Sequence, residues 1–392
     1  MSIQKIQPSH STILLTVTAF LNRVERAALT IAVLICANSA VAEEEIQKSQ
    51  YKFEEISVVA ASADEPLLDR VSVEKAIDYL ETGATAWTKK RKCISCHTNG
   101  SYMVLRPALT KSVGKPSEEI RDFYVAKLTQ HQGKKLEKLH KGVTPTELAY
   151  LAGGLAEWDA HVTGELSVET RQALTLMFQV QAEDGSYANQ SCWPPYESSD
   201  YHGAIIAAMA AATAPGYLDS VEGEPQVAYE QLIRFLQDTE PVHDYARLQL
   251  LWVSTRIDGL LTEDEKQATI AMIFDHQQED GGWSIRTFAA PDAWGSGNRE
   301  EKLRQELDFE SPASDGHQTG LAIVVLREAG VAADDPRILK GVEWIGKNQR
   351  ESGRWWTRSL NNDKFHFITY SGTCFPLLAL AKTDRLPSVD VE

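Results

Sequence analysis

The sequence predicts an all-α protein built from about six helix pairs in repeat. Amphipathic segments follow one another from Val71 onward, divided by short loops of Gly, Asp and Pro, with little strand-like alternation. A turn of the form Gln-x-x-(Asp/Ser)-Gly-x-(Trp/Tyr) occurs three times, at Gln181–Tyr187, Gln277–Trp283 and Gln349–Trp355. Each copy has an apolar helix pattern before it and a small-residue helix pattern after it. A unit of this kind cannot bury its own apolar face and must stack on its neighbours.

The elements fall in order. Residues 1–42 read as an export signal: Lys5, Arg23 and Arg26 supply positive charge, an apolar run extends from Ala27 to Ala37, and Ala40-Val41-Ala42 has the small-x-small form of a cleavage site. Cys36 lies in this segment. The alternative is an uncleaved anchor, for which the apolar run is short against the roughly 20 residues a span needs. Residues 43–70, opening with Glu43-Glu44-Glu45, read as a flexible acidic leader. Residues 71–385 form the repeat body and 386–392 a tail. Within the body, weaker cycles are drawn at Val73–Leu109, Phe123–Leu155 and Tyr229–Ile257. The small-residue helices after the three turns cover Ala204–Ala212, Gly320–Gly330 and Gly372–Ala381. No later run suggests a transmembrane span.

The formal net charge of −16 argues against nucleic acid as a partner, because phosphate binding needs clustered Lys and Arg. It argues equally against an anionic membrane surface.

The Gln-x-x-Asp-Gly-x-Trp turns, each followed by a helix opening on Gly or Ala, resemble the repeats of the squalene–hopene cyclase and protein prenyltransferase β-subunit superfamily. The resemblance covers roughly Val73 to Ala381. It implies an α/α toroid whose inner helices line a central apolar cavity. The Asp-x-Asp-Asp acid motif of the hopene cyclases is absent from this sequence, as is a basic set for a prenyl diphosphate.

Cys93-Ile-Ser-Cys96-His97 carries the most specific chemistry. Cys-x-x-Cys-His is the attachment signature of haem c: two thiols reach the vinyl groups of one porphyrin edge, and the adjacent imidazole ligates the iron. Attachment follows export, in agreement with the signal segment, and places the protein in the periplasm or otherwise outside the cytoplasm. The competing uses are structural zinc, which lacks a second Cys-x-x-Cys here, a redox dithiol, which lacks its α/β context, and a disulfide. For the sixth ligand, Met103 would stay on the proximal side if one helix carries it with His97. His131 and His140 are alternatives, and so is an open position. The motif occupies the place of the repeat's turn in the first cycle, so haem belongs at the rim those turns share.

A second constellation repeats at that rim. Asp200 and His202 begin one inner helix, Asp315 and His317 another, and His243-Asp244 a third. Asp at a helix start is ordinarily an N-cap. The functional reading has Asp200, His202, Asp315 and His317 converge on the cavity mouth as acid and base. In prenyltransferase β-subunits the zinc ligands are Asp, Cys and His near inner-helix starts; the step here is Asp-x-His rather than Asp-x-Cys. A Cys192–Cys374 disulfide is open. Three functions remain in view: an exported c-type haem protein working in electron transfer, with a redox partner protein, or in oxidation of an apolar, isoprenoid-like substrate; a terpenoid cyclase or lyase with accessory haem; and a non-enzymatic lipid, redox or gas sensor.

Overall fold

The computed structural model describes residues 49–187, 194–196, 199–295 and 297–387. The expected export signal and Cys192 lie outside the described residues. The first described element is an antiparallel hairpin, β1 (Ser49–Phe53) and β2 (Ile56–Val59). Six helix pairs follow. α1 (Val73–Arg91) precedes α2 (Asn99–Leu105), and α3 (Glu118–Gln132) precedes α4 (Thr144–Trp158). α5 (Val168–Gln179) precedes α6 (Asp200–Thr213), and α7 (Glu224–Asp238) precedes α8 (Asp244–Ser254). α9 (Glu263–Asp275) precedes α10 (Gly316–Glu328), and α11 (Pro336–Lys347) precedes α12 (Ser371–Lys382).

The even-numbered helices are the inner ring. α2 packs on α4, α4 on α6, α6 on α8, α8 on α10, α10 on α12, and α12 returns to α2. The chain is therefore an all-α toroid of six helix pairs. Small residues set its tightest seam. A Cβ added at Gly320 of α10 would lie 2.4 Å from the Pro376 backbone nitrogen of α12, so only glycine permits that approach.

The repeated turns explain how the ring is tied. Gln181, Gln277 and Gln349 each donate a side-chain N–H to the carbonyl of their own turn glycine, at 2.9, 2.8 and 2.8 Å. Those glycines, Gly185, Gly281 and Gly353, have φ of +92°, +88° and +87°, which excludes most other residues. Each abuts the backbone of the next outer helix, at Gln231, Lys340 and Lys75 respectively. The aromatic closing the turn reaches back to the outer helix before it: Trp283 Nε1 donates to Ile273 O at 2.7 Å and Trp355 Nε1 to Ile345 O at 2.8 Å. Both indoles are fully buried; truncating such a residue costs about 3–5 kcal/mol. In the last repeat the partner is the first: Gln349 accepts from Ser72 N at 2.7 Å and donates to Ser72 O at 2.9 Å.

The expectation of a flexible leader over 43–70 is corrected for the residues described, 49–70. Tyr51 is 2 % exposed, and Gln50 donates to Phe365 O at 2.7 Å. Glu65 pairs with the buried Arg354 at 3.1 Å. The segment covers the seam between the first and last repeats, so contacts from distant sequence hold it rather than its own periodicity. Among the described residues no helix is long and apolar enough to cross a membrane.

Candidate functional site

Two neighbouring regions of the ring gather the chemistry. The first is the loop between α1 and α2. His97 lies flat on Phe367, with ring centroids 4.6 Å apart and an interplanar angle of 18°, and meets Trp87 edge-on at 4.6 Å. Its Nδ1 is 2.8 Å from Thr98 Oγ1, which is 3.0 Å from the Tyr51 hydroxyl. The imidazole is thus fixed by a hydroxyl chain that begins in the hairpin. Burial, with Arg91 nearby, lowers the His97 pKa to about 3, keeping the ring neutral at pH 7. Neutral imidazole is the metal-ligating form.

Asn99, the first residue of α2, organises the rest of the loop. It accepts from Ser95 N at 2.8 Å and donates to Cys93 O at 3.0 Å. Ser101 donates to Cys96 O at 2.7 Å. Glu147 of α4 accepts from Ile94 N at 3.3 Å. The Cys93 and Cys96 thiols are not in disulfides; Cys93 is part-buried and Cys96 is 5 % exposed. Burial pushes the Cys93 thiol up.

These residues fit a covalently held haem. Two thiols and an imidazole stand at the required spacing. The Nδ1 of that imidazole is engaged by a hydroxyl, as ligating histidines usually are, while its Nε2 has no hydrogen-bond partner among the described residues. Among those residues no three His, Cys, Asp or Glu converge as a metal cage would.

The second region is the chamber at the centre of the ring, about 60 Å³ in volume, to which every inner helix contributes. Ser101, Tyr150, His202, Tyr245, His317 and Phe375 come from α2, α4, α6, α8, α10 and α12 in turn. Tyr150 OH is 3.0 Å from His202 Nε2, and Tyr245 OH is 3.0 Å from His317 Nε2. His317 Nδ1 is 2.8 Å from Ser371 Oγ, whose proton goes to Ile368 O at 3.0 Å. With the Ser371 proton on Ile368 O, Ser371 accepts from Nδ1–H and Nε2 accepts the Tyr245 proton. Tyr196 also hydrogen-bonds Ser371, and its ring is edge-on to both His202 and His317, with centroids 6.2 and 6.1 Å away. Burial lowers His202 to about 4 and His317 to about 3. Burial raises the Tyr196 and Tyr245 hydroxyls, so the Tyr245–His317 pair is neutral at pH 7.

The two regions adjoin at Tyr196, whose hydroxyl is close enough to Cys96 for electrostatic interaction. At the far end, Glu157 lines the chamber as an ion pair with Arg256 at 2.8 Å. Burial pushes Glu157 up, but Arg256 and His161 outweigh it and bring the pKa to about 2.

The expected convergence of two Asp and two His reduces to the histidines. His202 and His317 line the chamber; Asp200 is exposed on the first turn of α6. Asp315 is the N-cap of α10, accepting from Gln318 N at 2.9 Å and from Ile285 N at 2.7 Å, and does not line the chamber. The cause is a one-residue offset: Ser199 caps α6 and Asp315 caps α10, so the two Asp-x-His runs enter their helices out of step. His243 caps α8 through its own Nδ1. Met103 is fully buried core against Gly154. His131 is buried with Nε2 3.7 Å from Glu147, and His140 is exposed. Cys374 is buried inside α12. The sequence alone does not point to Tyr150, Tyr196 and Tyr245 in the chamber, to Ser371 behind His317, or to Trp87, Thr98 and Phe367 about His97. A tyrosine near the start of α8 was the available signal for Tyr245; the others meet their partners only through the fold.

Residues 248–385, from within α8 to just past α12, match the family model of the squalene-hopene cyclase C-terminal domain. The match supports kinship of the toroid with the cyclase and prenyltransferase-like superfamily. No curated protein matches the chain.

Proposed function

We propose that this protein is an exported c-type haem protein on a cyclase-like toroid, with haem held by Cys93, Cys96 and His97 at the rim and a small proton-handling chamber behind it. The observation that carries the reading is the His97 setting: one ring nitrogen engaged by Thr98, the other without a hydrogen-bond partner among the described residues, directly after two thiols. Haem supplies one-electron redox chemistry when bound. The chain's own residues orient the imidazole through Tyr51 and Thr98 and shield it with Trp87 and Phe367. The neutral Tyr245–His317 pair can accept one proton from a small guest while returning another and so stay uncharged, and the Tyr150–His202 pair lines the same chamber with the same hydrogen bond.

The family match favours a second reading, a terpenoid cyclase or lyase with haem as an accessory. The chamber speaks against it. A dry cavity of about 150 Å³ takes a guest the size of benzene, and this one is about 60 Å³. Its carboxylate, Glu157, is ionised and paired with Arg256, and Asp315 does not line it, so among the described residues no carboxylic acid lines the chamber ready to protonate an alkene.

Spectra of the matured protein with and without a polyprenoid lipid separate the two. Reversible redox cycling of a haem band that lipid leaves unchanged is the expected result. A lipid-dependent shift accompanied by conversion of the lipid would establish the second reading instead.

A further inference from the structure

Charge is unevenly spread along this chain. Between Lys89 and Lys141 there are thirteen lysines and arginines against four acidic residues, in a chain that carries 39 against 55. Lys89, Lys90, Arg91 and Lys92 are exposed and lead directly into Cys93. They divide to either side of the motif. Lys89 and Lys92 join Lys127 and Phe123 in a groove of about 460 Å³ between α1 and α3. Lys90 and Arg91 join Lys52, Trp87 and Phe367 in a crevice of about 140 Å³. Cys93 interacts electrostatically with a cation from each side, Lys127 and Arg91.

Lys134, Lys135, Lys138 and Lys141 follow, all exposed, in the next connection from an outer to an inner helix, hence on the same rim. Lys89 is ion-paired with Glu119 at 3.1 Å. Lys127 feels the buried Glu147 carboxylate at longer range; among the described residues no carboxylate forms a direct ion pair with Lys90, Lys92, Lys127 or the four later lysines. The matching connection of the fifth repeat, residues 276–315, carries nine acidic residues against four basic ones. The rim is positive at the motif and negative beyond it.

We propose that this basic rim is the docking surface for an acidic protein, which it presents to the Cys93–His97 site; the proposal rests on reading that site as the haem site. Charge complementarity favours a protein over a lipid bilayer. In this stretch the large apolar side chain exposed to solvent is Leu136, at 43 %, too little to insert among lipids. A planar anionic surface would also meet the acidic remainder of the protein. A compact partner meets the patch alone, since charges more than about 8 Å away are screened at physiological salt. The acidic sector of the rim would then repel a misoriented partner and fix its approach.

The test uses the full chain matured with haem, titrated into fluorescein-labelled poly-L-glutamate and followed by anisotropy. Saturable binding is expected at low salt, weakening more than tenfold at physiological salt. Replacing Lys89, Lys90, Lys92 and Lys127 together by Glu should weaken binding more than tenfold. Lys266→Glu with Lys340→Glu, on α9 and α11, should leave it within twofold. Three results overturn the proposal: no salt-sensitive binding, equal loss in both variants, or binding to phosphatidylglycerol vesicles without binding to polyglutamate. A fourth is loss of haem in the four-site variant with polyglutamate binding intact, which would assign the lysines to the haem propionates. Haem content, read on the same samples, reports on the underlying site separately. The expected binding pattern in haem-free protein would sustain the docking surface and reject the haem.

Discussion

His97 lies against Phe367, 4.6 Å between ring centroids and 18° from parallel, across 270 residues of sequence. The contact joins the motif of the first repeat to the loop that precedes the last inner helix. The candidate haem ligand is therefore positioned by closure of the ring, not by its own segment. Phe367→Ala should leave the fold in place but loosen His97. In the matured protein we expect a broadened or shifted visible spectrum and easier displacement of the imidazole by cyanide. An unchanged spectrum and cyanide affinity would remove Phe367 from the site.

Ring closure itself is testable at Gly353. Its φ of +87° and the Lys75 carbonyl carbon 2.4 Å from an added Cβ mean that Gly353→Ala strains the turn and pushes α1 away. A loss of well over 1 kcal/mol is expected. Gly346→Ala in α11 meets no atom within 4 Å and should be neutral or stabilising by up to about 1 kcal/mol. Equal effects at the two sites in urea unfolding would contradict the role of the repeated turn.

Glu157 and Arg256 form the buried pair at the end of the chamber. Arg256→Ala leaves a carboxylate that is 7 % exposed without its main partner and should cost about 3 kcal/mol. Glu157→Gln in the same background should recover part of the loss. If the double variant is no more stable than Arg256→Ala, the pair is not what holds the two residues.

Acid sensitivity has a definite sign. His202 and His317 are lowered to about 4 and about 3 in the folded ring, below the usual 6.5. Below pH 6.5 the unfolded chain takes up protons that the folded ring refuses, so stability falls on acidification, by up to about 1.4 kcal/mol per pH unit for each histidine. Asp315 works the other way. Its pKa is raised by burial from 3.8 to about 6, so between those values the folded state holds the proton more tightly and acidification stabilises. Urea midpoints from pH 7 to pH 4 should fall less steeply in His317→Gln and more steeply in Asp315→Asn. Parallel curves for all three proteins would contradict the assignment.

How far the sequence reached depends on the range of the interactions. The turns at Gln181, Gln277 and Gln349 were legible because each glutamine bonds its own turn glycine four residues on, and the two tryptophans bond the helix ten residues before them. The hairpin was not: Tyr51 and Gln50 are held by Thr98 and Phe365, and an acidic stretch without periodicity gives no sign of them. His202 and His317 were found by their place in the repeat, but the one-residue shift of the cap sent Asp200 to the surface and Asp315 to Ile285. The hydroxyls that hold the two imidazoles come from other helices, so no spacing encodes them. The basic rim was hidden by taking net charge over the whole chain.

We propose that Cys93, Cys96 and His97 hold a covalent haem, and the proposed function depends on it. The most direct measurement is a pyridine haemochrome spectrum, with the intact mass of the denatured protein, after expression with the cytochrome c maturation system. A c-type haemochrome and a mass increase of one haem are expected, with one thioether in Cys93→Ala and a perturbed iron spectrum in His97→Ala. A colourless protein of unmodified mass, folded and made under those conditions, would contradict the proposal.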